Sequence, residues 1–95
     1  MAYTVIAEAV GNATSSVIRA ATHFTNSQIG QAKAIALSAL DGELRVTLVG
    51  LTPTATTGVP VTQGQTRTFP LNAATAQWLA ASGTVRYYVA LLNDV

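Results

Sequence analysis

Ninety-five residues allow one hydrophobic core, so the chain is read as a single domain over 1–95. Charged residues make up 9% of it, against roughly 25% in an average soluble protein. With a formal net charge of +1, no cysteine and one histidine, the chain offers no electrostatic footprint for nucleic acid or acidic lipid, no disulfide framework and no multi-histidine or thiolate metal site.

Tyr3 to Val10 alternates as a strand, with Val5, Ala7 and Ala9 on one face and Thr4, Ile6, Glu8 and Val10 on the other. Gly11-Asn12 is a turn signal. Thr14 to Gln28 fits two periods. As a strand it aligns Ile18, Ala20, Thr22 and Phe24; as a helix it aligns Val17, Ala21 and Phe24. Its β-branched content favours the strand, with Thr25-Asn26-Ser27 as loop.

The next signal is the most regular in the chain. Lys33 to Leu40 and Glu43 to Leu51 flank Asp41-Gly42, a pair suited to the two positive-φ positions of a type I′ hairpin turn. A two-residue loop sets Ala39 against Leu44, Leu37 against Val46 and Ile35 against Leu48, all apolar and on one side. Ser38 with Arg45 and Ala36 with Thr47 take the other side.

Thr52 to Gly58 is a polar loop. Val59-Pro60-Val61 reads as a short edge strand, because Pro60 has no ladder donor. Gln63-Gly64-Gln65 turns the chain into a strand from Thr66 to Leu71. Asn72 is placed as an N-cap for a helix over 73–81, rich in alanine, with Gly83 at its C-cap. Thr84 to Leu92 is the last strand, with Val85, Tyr87, Val89 and Leu91 on one face and Arg86, Tyr88, Ala90 and Leu92 on the other. Both faces are partly apolar, so it is expected to be central or covered. The expected architecture is mainly all-β: a small β-sandwich or barrel of about six to seven short strands with the one helix at 73–81.

Chemistry is sparse. His23 lacks any motif supplying a nucleophile and an orienting carboxylate, so it reads as structural. There is no nucleophile elbow and no phosphate-binding loop; Gly58 and Gly64 read as turns. Tyr3, Trp78, Tyr87 and Tyr88 fit a core or a subunit interface better than a stacking platform, which would come with a basic groove. The expectation is a non-enzymatic chain with no catalytic residues, no cofactor and no metal. The start lacks the basic flank and apolar stretch of a signal peptide, and no run approaches a membrane helix, so a cytoplasmic origin is expected.

The low charge is the main functional clue. A free small domain usually carries a net charge of about 2–8 in magnitude, whereas the centres of obligate interfaces are depleted of charge. Thr54, Thr56, Val59, Arg86, Tyr88 and Leu92 are the expected interface residues, drawn from the polar loop, the edge strand and the last strand.

Three stretches carry a resemblance: Ala34-Ile35-Ala36-Leu37-Ser38-Ala39-Leu40-Asp41-Gly42, Gly58-Val59-Pro60-Val61-Thr62-Gln63-Gly64-Gln65 and Ala80-Ala81-Ser82-Gly83-Thr84-Val85. In style, over about 33–92, the chain resembles the small structural proteins of tailed-bacteriophage virions, of the capsid decoration (cement) type. The resemblance implies a homo-oligomer, often a trimer, that sits on the capsid surface and bridges major capsid subunits. It carries over no position-specific residue. A receptor- or sugar-binding module of a tail or spike is the alternative.

Overall fold

The computed structural model describes residues 3–48, 51–70 and 76–94. Among these residues, eight strands form two antiparallel four-stranded sheets packed face to face: β1 (Tyr3–Ala13), β2 (Ile18–Arg19), β3 (Ala34–Ala39), β4 (Leu44–Thr47), β5 (Val59–Val61), β6 (Thr66–Pro70), β7 (Gln77–Ala80) and β8 (Val85–Asp94). The first sheet has the order β1-β8-β3-β6 and the second β2-β7-β4-β5. The fold is the expected all-β sandwich with one short α-helix.

Of the consecutive strands, β4 and β5 alone pair with each other; every other connection crosses between the sheets. The core lies between them. Ile35, Leu37 and Ala39 of β3 and Val85, Tyr87, Val89 and Leu91 of β8 meet Leu44 and Val46 of β4, Val61 of β5, and Trp78 and Ala80 of β7. Each large side chain enclosed there contributes roughly 1.5–3 kcal/mol, an upper bound for a real unfolded chain.

Asp41-Gly42 does not make a hairpin. β3 pairs with β6 and β8 in the first sheet, while β4 pairs with β5 and β7 in the second. The expected inward set nevertheless faces the core: Ile35, Leu37, Ala39, Leu44 and Val46 are all fully enclosed, and Leu48 packs against them partly buried. They oppose one another across the sandwich rather than side by side along one sheet. A period of two is the same in both arrangements, so alternation cannot separate a hairpin from an arch.

The corner itself shows why the arch forms. Among the described glycines, those with positive φ are Gly58, Gly64 and Gly83, at 125°, 80° and 63°, and not Gly42, as a type I′ turn would require. At Gly42 the demand is space instead, since a Cβ would meet Val85 Cγ2 at 2.6 Å. The Arg86 amide donates to Asp41 Oδ1 at 2.7 Å, and the Ala81 amide donates to the Glu43 carbonyl at 2.9 Å. The β3–β4 arch is thus stitched to the β7–β8 arch beside it.

The expected helix over 73–81 is corrected too. Gln77–Ala80 is β7, seated between β2 and β4, and residues 71–75 with the Asn72 cap lie outside the described residues. Helix propensity is a weak prior, and burial of Trp78, Leu79 and Ala80 overrides it here. Gly83 lies in the turn between β7 and β8 rather than at a helix end.

Among the described residues the α-helix is α1 (Asn26–Gln31), which begins inside the expected loop Thr25-Asn26-Ser27. Thr25 and Gln28 form its capping box: Thr25 Oγ1 accepts from the Gln28 amide, and Gln28 Oε1 accepts from the Thr25 amide. Before it, the expected long strand is reduced to Ile18–Arg19 and a 3-10 turn at Ala20–Thr22. Gly11-Asn12 does not turn; β1 continues through it, pairing Gly11 with Tyr87 and Asn12 with Arg86.

Candidate functional site

Two places in the sandwich gather polar or aromatic groups beyond what the core needs. One is enclosed. His23 Nε2 and Tyr87 Oη are hydrogen-bonded at 2.5 Å, and Tyr87 meets Trp78 edge to face at 5.8 Å between centroids. β1 passes so close that a Cβ on Gly11 would meet Tyr87 Oη at 2.6 Å and Cζ at 2.8 Å. Burial raises the Tyr87 pKa above its ordinary value, with the nearby indole of Trp78 opposing it. Trp78 and Tyr87 are both enclosed, so neither offers a ring face to a ligand. His23 serves to hold the Tyr87 hydroxyl.

The other place is the outer face of the first sheet. Directly paired residues of an antiparallel sheet share a face, so the register defines its rows. One row is Val5, Leu92, Ala34 and Pro70; the next is Glu8, Ala90, Ala36 and Thr68; a third is Val10, Tyr88, Ser38 and Thr66. A register shift between Val5 and Ala7 puts Val5 on this outer face and lets Ile6 pack against the core, the reverse of strict alternation.

The centre of this face is small and nearly charge-free. Ala34, Ala36, Ala90 and Leu92 form their own buried cluster with Tyr88 packed against it. Val5 and Val10 stand exposed beside them, at 50% and 63%. Tyr88 Oη donates to Glu8 Oε2 at 2.6 Å, and Ser38 Oγ lies 2.6 Å from Thr66 Oγ1. The bond to Glu8 raises the Tyr88 pKa, with desolvation and the carboxylate charge acting the same way. At the end of the face Arg86 approaches Asp41, with Nε 3.6 Å from Oδ2.

The six expected interface residues do not form one patch. Arg86, Tyr88 and Leu92 lie on this outer face. Val59 packs against the core opposite Val46. Thr54 and Thr56 are exposed in the loop before β5, where Thr54 Oγ1 accepts from the amides of Thr56 and Thr57. Pro53 of that loop is buried, and with Leu79, Ala81 and Ser15 it lines an open cleft of about 380 Å³. Val5 and Val10 belong to the face and were not expected there. The sequence sign for Val5 was the adjacent β-branched pair Val5-Ile6, which cannot both obey alternation on a half-buried strand.

No family model, no curated protein and no solved structure matches the chain.

Proposed function

We propose that the chain is a non-enzymatic structural protein of a tailed-bacteriophage virion, a head decoration or cement protein that self-associates and bridges major capsid subunits. The observation that carries this reading is the outer face of the first sheet. An antiparallel sheet with one solvated face normally alternates apolar-in with polar-out. Here the middle of the outward face is alanine and leucine, bordered by exposed valines and hydroxyls, with Glu8 as its one carboxylate among the described rows. Such a face suits contact with another protein, where the buried centre of a patch is depleted of charge.

The mechanism is area. A specific contact buries about 800 Å² on each partner. A subunit that spans a joint between two capsid proteins adds contacts that must break before the joint opens. The polar loop holding Thr54 and Thr56 and the face holding Tyr88 and Leu92 are separate surfaces, which supports a subunit touching more than one neighbour. The charges support a protein partner over nucleic acid: there are five cations in the chain, and two of them are matched by carboxylates, Arg45 by Glu43 at 2.7 Å and Arg86 by Asp41.

Co-sedimentation with empty shells tests the reading. The protein is expected to pellet with them at saturating stoichiometry and to raise the temperature at which they rupture. A protein that stays in the supernatant with every shell offered, and remains monomeric at high concentration by light scattering, overturns the role.

A further inference from the structure

Two four-stranded sheets have four edges, and three of these are guarded. β2 is two residues long, β5 is three residues with Pro60 in the middle, and β6 is five residues carrying Arg67 and ending at Pro70. Short length, proline and edge charge are the usual means by which a sheet avoids recruiting another chain. β1 is the least guarded of the four, with neither short length nor proline. It runs for 11 residues without proline, lysine or arginine, and Glu8 is its single charge. It ends the first sheet, and beyond its ladder with β8 it makes no backbone hydrogen bond to another described residue. The register shift affects its start; from Ala7 to Ala13 the ladder is continuous.

We infer that β1 pairs antiparallel with β1 of a second copy about a two-fold axis at Val10, joining two first sheets into one continuous sheet. An open edge needs another open edge to meet. Because the other three are guarded, the partner is β1 itself. A contact of like with like is isologous and closes at two chains.

The side chains select the register. Glu8, Val10 and Asn12 share the outer face, through their partners Ala90, Tyr88 and Arg86 on β8. An axis at Glu8 would set two carboxylates directly opposite each other, which is unfavourable. An axis at Val10 sets Val10 against Val10, Glu8 against Asn12 and Ala9 against Gly11, and the pairing stops short of Ala13, which is fully enclosed. It covers Val10, which is 63% exposed in the single chain. It also offers the Asn12 amide to Glu8, whose Oε2 is already occupied by Tyr88 Oη. The pairing uses only the continuous part of the ladder and leaves the shifted start outside.

This inference deepens the proposed role by naming the surface of self-association, and rests on that role only for the existence of an oligomer. The chain contains no cysteine, so an introduced one reports cleanly. Directly opposed residues in an antiparallel pair have Cα atoms about 4.5–5.5 Å apart, within disulfide range. Val10→Cys is expected to give a covalent dimer under mild oxidation, while Val5→Cys, also exposed, lags well behind. Asn12→Asp sets a second carboxylate against Glu8 at both ends of the pairing and is expected to weaken dimerisation about three- to tenfold. Asn12→Lys is expected to strengthen it.

An oligomer by native mass in which both cysteine variants cross-link equally, or in which Asn12→Asp changes nothing, overturns the pairing and leaves the proposed role standing. A Val10→Cys dimer that binds no shell supports the pairing and counts against the role. A chain that stays monomeric at high concentration overturns both.

Discussion

On β8, Val85, Tyr87, Val89 and Leu91 point into the sandwich, and Arg86, Tyr88, Ala90 and Leu92 point away from it. Both sets contain buried apolar side chains, but they differ in size. Inside, Leu91, Val89 and Tyr87 meet Ile35 and Leu37 and fill the gap to the second sheet, which face-to-face packing sets near 10 Å. Outside, the neighbours across the ladder are Ala36 beside Ala90 and Ala34 beside Leu92. Small residues there leave a low, flat surface, so the inner face is committed to holding the fold and the outer one is left available for contact. The pattern teaches that low exposure on this sheet has two origins: enclosure by the second sheet, and shading among neighbours on a single face.

Adjacent residues of β3 break this comparison most directly. Leu37→Ala removes a fully enclosed side chain from the inner face and is expected to cost about 2–5 kcal/mol, a loss of many degrees in thermal midpoint. Ala36→Lys, one residue away, can extend along the outer face into water. It is expected to cost about 1 kcal/mol or less while abolishing shell binding. Thermal melts of both variants with the co-sedimentation assay check the pair. Equal destabilisation would mean that the two faces are not distinct in kind.

Gly11 tests how tightly β1 lies on the core. A Cβ there would press on Tyr87 Oη and Cζ, and the ring is backed by buried Trp78. Overpacking of this kind costs about 1–3 kcal/mol, so Gly11→Ala is expected to lower stability by that amount in denaturant titration. Tyr87→Phe removes Oη and with it the nearest contact, but leaves Cζ in place. The double variant is expected to be less destabilised than the sum of the singles, a coupling that a double-mutant cycle measures.

The same residues show what could be read from sequence. The inward sets of β3, β4 and β8 were legible because burial imposes a period of two on each strand. The edge strand at Pro60 and the turn at Gly64 were legible because their backbone needs are local. What alternation cannot carry is which strand lies beside which. Asp41-Gly42 therefore looked like a hairpin, although the Arg86 amide and Val85 side chain beside it make it a corner between sheets. The stretch 73–81 looked helical because alanine favours helix wherever packing does not decide, and over Gln77–Ala80, in β7, packing decides. At α1 the capping pair Thr25 and Gln28 was present in the sequence, but a helix of 6 residues has too little apolar period to announce itself. Of the outer face, Arg86, Tyr88 and Leu92 were found from the two-sided pattern of β8. Val5 was not, because its side depends on the register shift before Ala7; Val10 shares a face with Glu8 as alternation gives, but its exposure depends on β1 being an edge.

The smallest expected effect concerns pH. Burial raises the Tyr87 pKa above the ordinary tyrosine value of about 10. The unfolded chain therefore releases that proton at lower pH than the folded one. The resulting stabilisation is complete below pH ~10 and is lost as pH climbs through the folded-state value, so the folded state weakens on the alkaline side. Tyr88 is raised as well, through Glu8, but lies on the outer face, where solvent weakens the effect. Tyr87→Phe is expected to lower stability at pH 7 by about 1 kcal/mol, through the lost bond to His23, and to flatten the fall above pH 10. Tyr88→Phe is expected to leave most of that fall in place. Denaturation midpoints from pH 8 to 11, followed together with tyrosinate absorbance, separate the two hydroxyls. An alkaline limb that vanishes with Tyr88→Phe and survives Tyr87→Phe would place the titrating group on the outer face, and would mean that the interior of the sandwich admits water.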